Sequence, residues 1–127
     1  MQFDVVATNP PFQDYTNRKK TQHKLWINFT KEAFNKWLKP DGLLLQVSPS
    51  SFLSPSSKVL KLFQQKVVEF LRLDVKEYFP TVNSTFAYYS VINRDSDGEY
   101  TNIVNERGMF TKRIDNNIFY LPIDFCE

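Results

Sequence analysis

The stretch FDVVATNPPF, Phe3 to Phe12, limits the fold more than any other part of the chain. FDVVAT is short, β-branched and apolar at positions pointing to both faces, which suits a strand buried in a mostly parallel sheet. Two prolines then stop it, because each fixes φ and removes a backbone donor. A parallel neighbour needs a crossover connection, usually a helix, and the sequence supplies one. QDYTNRKKTQHK has no apolar periodicity and holds Arg18, Lys19, Lys20 and Lys24, so it reads as an exposed loop. Leu25, Phe29, Ala33 and Trp37 then recur every four residues, flanked by Trp26, Phe34 and Leu38, as the apolar stripe of an amphipathic helix does. KPDG ends that helix. LLLQVSPS comes next as a second buried strand, again closing in a proline-containing polar loop, and the two strand ends are expected side by side.

Farther along, Leu60, Phe63, Val67 and Leu71 at helical spacing predict a second helix. LRLDVKEYF alternates as a half-exposed or edge strand would, and TFAYYSVIN is a strong strand candidate. RDSDGE reads as a turn, and the remainder reads as short strands punctuated by Gly108 and Asn116-Asn117. With 127 residues the chain has enough apolar material for one modest core. The formal charge of +2 is far from the basic footprint of a purely electrostatic nucleic-acid binder. Cys126 is the single cysteine and His23 the single histidine, which excludes an intrachain disulfide and a cysteine-based metal cage. No apolar run approaches the roughly 20 residues of a membrane span, and the first residues lack the order of a signal peptide. A soluble cytoplasmic protein is expected, with no metal.

Asn-Pro-Pro-Phe at the end of a buried strand suits one chemistry well. A nitrogen whose lone pair is delocalised into a neighbouring π-system, as in an exocyclic adenine amine, is a poor nucleophile. Two fixed acceptors that take its N–H protons would hold the nitrogen in line with an electrophile and free that lone pair. Asn9 offers a side-chain carbonyl and Pro10 a backbone carbonyl, both on a stretch stiffened by Pro10 and Pro11. Phe12 offers a ring on which a base rotated out of a duplex can stack, worth about 1–3 kcal/mol. Ligands of open α/β sheets bind beyond the carboxyl ends of the strands, where this stretch lies. The plainer reading is a strand terminator with Phe12 in the core.

The stretch resembles the catalytic motif of S-adenosylmethionine-dependent amino-methyltransferases, and LWINFTKEAFNKWLKPDGLLLQVSPSSFLS resembles the segment after that motif in the N6-adenine DNA methyltransferases of restriction-modification systems. VKEYFPTVNSTFAYYSVI looks like that family's later motif, in which a Phe-Pro before a strand gives a second aromatic for the extruded base. The resemblance covers roughly residues 1–93 and implies an α/β fold: strands 4 to 7 of a Rossmann-like methyltransferase sheet with two helices. Residues 94–127 are expected as a short β-rich extension, a candidate for the start of a target-recognition region. On this likeness Asn9, Pro10, Pro11 and Phe12 are catalytic, Phe12 and Phe79 sandwich the flipped base, and Asn9 and Pro11 also meet S-adenosylmethionine. Arg18, Lys19, Lys20 and Lys24 are candidates for DNA phosphates, although a charged loop is more often simply solvated. Phe79 has the alternative of an ordinary core aromatic.

The family's glycine-rich cofactor loop precedes the Asn-Pro-Pro motif, and the glycines here, Gly42, Gly98 and Gly108, form no such cradle. The resemblance is therefore to the second half of a catalytic domain. A missing N-terminal half is the expected partner, because FDVVAT would otherwise be an exposed apolar edge. Methylation of RNA guanine or of protein glutamine uses a similar motif and stays open. So does a non-catalytic remnant or interaction module. Asp41, Asp74 and Asp95 suggest no acid–base pairing, and Tyr88 and Tyr89 read as sheet packing.

Overall fold

The computed structural model describes residues 2–9, 25–53, 57–75 and 86–114. Strand β1 (Phe3–Thr8) is followed by helix α1 (Leu25–Glu32), a π-helical turn (Ala33–Trp37) and strand β2 (Leu38–Pro49). A 3-10 turn (Ser50–Leu53) leads towards helix α2 (Lys58–Gln64), and strands β3 (Lys66–Arg72), β4 (Phe86–Asp95), β5 (Thr101–Asn105) and β6 (Gly108–Lys112) complete the order. All six strands form one mixed sheet in the order β1-β2-β4-β3-β5-β6.

β1 and β2 run parallel with α1 between them, as the apolar spacing predicts. β4 inserts between β2 and β3, antiparallel to both. β3 pairs parallel with β5, so the C-terminal strands extend the same sheet. β1 lies at one edge, where Phe3 and Val5 are about half exposed, at 49% and 52%.

Both helices pack on one face of the sheet. Leu44, Val68, Leu71, Tyr89, Val91 and Ile103 meet Trp26 and Phe34 from the first connection and Val59, Leu60 and Phe63 from α2. Edge-to-face contacts dominate this layer: Phe52, on the 3-10 turn, meets Phe63 at 5.5 Å and Tyr89 at 5.2 Å. Ser57 caps α2 by accepting a hydrogen bond from the Leu60 amide, 3.3 Å away.

Two sequence expectations are corrected. Val67 and Leu71 belong to β3, not to the second helix, which ends at Gln64. Spacing of four fits a helix stripe and also alternate positions of a strand, and pairing with β4 decides between them. A register irregularity between Val68 and Phe70 brings Val68 and Leu71 onto the helical layer. LRLDVKEYF keeps the expected half-exposed alternation over its described residues, with Leu71, Leu73 and Val75 buried, but it is not an edge strand, since among those residues only Leu71 and Arg72 are in β3 and β3 is interior.

KPDG ends the helical segment by a different route than a free turn. Register jumps from Phe3 opposite Leu38 to Val5 opposite Leu43, so the tetrapeptide bows out at the base of β2. Asp41 takes φ 65°, and Gly42 lies so close that a Cβ would stand 2.8 Å from the Lys39 carbonyl oxygen and 3.2 Å from that of Asp4. Both obstacles are backbone. Gly42→Ala is expected to cost about 1–3 kcal/mol, read as a lowered urea midpoint. An unchanged midpoint would show that the backbone opens there at no cost.

Candidate active site

The parallel pairing of β1 with β2 sets the site. Val6, Ala7 and Thr8 stand opposite Leu44, Leu45 and Gln46, so the carboxyl ends of the two strands emerge together. Asn9 leaves the end of β1 exposed to solvent. It is the one predicted catalytic residue among those described. Pro10, Pro11, Phe12, Arg18, Lys19, Lys20, Lys24 and Phe79 lie outside the described residues, and so does His23.

Behind the strand ends lies a polar cluster within the helical layer. Gln46, Thr30, Ser48 and Tyr89 are each fully buried. The Gln46 amide nitrogen donates to Thr30 Oγ1 at 2.8 Å and to the Tyr89 hydroxyl at 2.6 Å. Thr30 in turn donates to the Trp26 carbonyl, one turn back on α1, at 2.8 Å. Tyr89 donates to Ser48 Oγ at 2.8 Å, and Ser48 donates to the Pro49 carbonyl at 3.2 Å. Burial pushes the Tyr89 phenol well above its ordinary range, against the opposing pull of its bonds with Ser48 and Gln46, so the ring stays neutral and keeps its donor. The Gln46 carbonyl oxygen Oε1 is buried without a partner.

Sequence reasoning treats Gln46 as one more residue of an apolar strand. The available signal is its position: in LLLQVSPS, the alternation that buries Leu44 also buries Gln46 and Ser48. A polar side chain at such a position needs partners, and only the fold brings in Thr30 and Tyr89.

The carboxylates singled out in the sequence are held in ion pairs with basic side chains. Asp41 pairs with Arg94 at 3.9 Å, and Asp95 with Lys66 at 3.8 Å. Asp74 takes a two-pronged bond from Arg72 at 3.1 and 2.8 Å, which holds its carboxyl below the usual range. Tyr88 is half-buried against Phe70, with ring centroids 5.3 Å apart. Among the described residues no group of three or more His, Cys, Asp or Glu side chains could hold a metal ion. No described helix is long and apolar enough to cross a membrane.

A family model for the Eco57I restriction-modification methylase matches residues 1–86. That range holds β1 through β3 and the start of β4. No curated protein sequence matches the chain significantly. Among solved structures, a chain from a type I R-M system, studied for its complex assembly and conformational transition, superposes with a TM-score of 0.54 at 21% identity. The match covers 80% of this chain and 23% of that one, so the present sequence spans about a quarter of its structural neighbour.

Proposed function

Because the chain belongs to the Eco57I restriction-modification methylase family, we propose that it forms part of an enzyme transferring a methyl group from S-adenosylmethionine to the N6 amine of an adenine flipped out of DNA. The observation that carries the reading is Asn9, exposed at the carboxyl end of a strand paired in parallel with β2. Open α/β sheets bind their ligands there. On this reading β1 to β4 act as strands 4 to 7 of a Rossmann-like methyltransferase sheet.

The cofactor, when bound, supplies an electrophilic methyl group. The chain's own residues supply the other side of the reaction. The Asn9 side-chain carbonyl and the Pro10 backbone carbonyl accept the two N–H groups of the amine and hold its nitrogen in line, while Phe12 and Phe79 cover the two faces of the base. Extrusion costs a few kcal/mol of lost stacking, and aromatic faces offset it. Pro11 is proposed, with Asn9, to meet the cofactor, and Arg18, Lys19, Lys20 and Lys24 are proposed to meet DNA phosphates. The polypeptide that carries the glycine-rich cofactor loop is the proposed partner, so the chain by itself is expected to be inactive.

The test is methyl transfer by the chain combined with that polypeptide, using labelled S-adenosylmethionine. Duplex DNA should gain N6-methyladenine on nucleoside digestion, while RNA and glutamine-containing peptides stay unlabelled. Label on guanine in RNA, or on peptide alone, would overturn the DNA assignment.

A further inference from the structure

The buried polar side-chain atoms of the cluster have hydrogen-bond partners except at one, an acceptor. Thr30 has a single hydroxyl hydrogen, given to the Trp26 carbonyl, and Tyr89 has one, given to Ser48. Both oxygens therefore need a donor, and the two N–H groups of Gln46 are those donors. Turning the amide over would leave its oxygen without a donor unless Thr30 and Tyr89 gave up the Trp26 carbonyl and Ser48 as their acceptors. The free end of the amide is thus the carbonyl oxygen, in a side chain with no solvent exposure. Leaving such an acceptor unanswered is unfavourable.

Thr8 is the residue placed to answer it. It stands directly opposite Gln46 in the parallel ladder, so their side chains project on the same face of strands about 4.8 Å apart. Thr8 is half-buried, and its hydroxyl makes no hydrogen bond to any described residue. A buried acceptor and a half-open hydroxyl on adjoining strands form the kind of polar pair that an internal water bridges.

We propose that Thr8 and Gln46 hold one internal water between them, and that Gln46 is through it a positioning residue for Asn9. The chain of bonds already ties the first turn of α1, at Trp26, to the end of β2, at Pro49. The bridge adds the last residue of β1, one position before Asn9. Three elements that frame the site then meet at a single amide. The positioning role rests on the methylase reading above; the bridge itself does not.

Thr8→Val removes the hydroxyl and keeps its shape, and Gln46→Met removes the amide and keeps its length. Urea titration of the full chain should show each single variant losing about tenfold in folding constant, with the double variant no more than about threefold below the worse single. Thr8→Ser, which keeps the hydroxyl, should stay within about threefold of wild type, and this comparison decides the matter if Gln46→Met does not fold. A double variant at the product of the singles, or Thr8→Val indistinguishable from wild type, overturns the bridge. In the completed methylase, Thr8→Val should lower the single-turnover methyl-transfer rate about tenfold while DNA affinity and the titrated fraction of active sites stay at wild-type values. An unchanged rate overturns the positioning role. A wild-type complex that transfers no methyl group to DNA removes the methylase reading on its own account, and the urea titrations still decide the bridge.

Discussion

Asn9→Ala lowers methyl transfer to DNA by two to three orders of magnitude in the completed enzyme and leaves DNA affinity within about threefold of wild type, the expected result of removing one preorganised polar partner from the reacting centre. The asymmetry comes from where Asn9 sits. It is exposed at the end of β1 and opposes no other described strand residue, so truncating it withdraws no buried contact from the core. Its proposed partner is the amine whose geometry changes during transfer, so the loss should appear in the rate at saturating DNA and not in binding. Tritiated-methyl incorporation and filter binding on the same variant separate the two. A fall of less than about threefold in incorporation would take the role from Asn9, and a parallel collapse of DNA binding would make it a structural residue.

Trp26→Ala has the largest expected effect on the fold itself, about 3–5 kcal/mol of stability. The indole is 2% exposed at the start of α1 and meets the edge of Phe52 with ring centroids 6.3 Å apart. Removing it leaves a cavity between α1 and the 3-10 turn, beneath the site. Thr30 and Gln46 depend on the same turn of helix, because the Trp26 carbonyl is where their chain of bonds ends. Differential scanning calorimetry should show the midpoint falling by on the order of 10 °C. Trp26→Phe keeps most of the apolar area and should recover more than half of that fall. A midpoint within about 3 °C of wild type for the alanine variant would mean that the layer closes over the gap.

The local chemistry of the sequence determined the first half of the sheet. FDVVAT and LLLQVSPS are apolar, strand-forming and separated by a helix with a strong apolar stripe, and a helical crossover of that kind leaves a parallel pair as the direct solution. That is why the residue pattern alone puts Asn9 at a strand end beside β2, and why the family resemblance extends through the same region. Position along the chain sufficed because each of these segments carries its own pattern.

Tertiary structure decided the rest, because the deciding interactions join residues far apart in sequence. Val67 and Leu71, four apart, satisfy a helix and a strand equally, and only the antiparallel partner β4, more than ten residues later, made them strand. β3 became interior because Thr101–Asn105 returned to pair beside it, which no pattern within LRLDVKEYF announces. Gln46 shows the same limit at the site. Its sequence neighbours mark it as buried, but Thr30, 16 residues before it, and Tyr89, 43 residues after it, supply the bonds that make a buried amide tolerable. Apolar periodicity is a property of a segment, whereas hydrogen-bond satisfaction is a property of the packed whole.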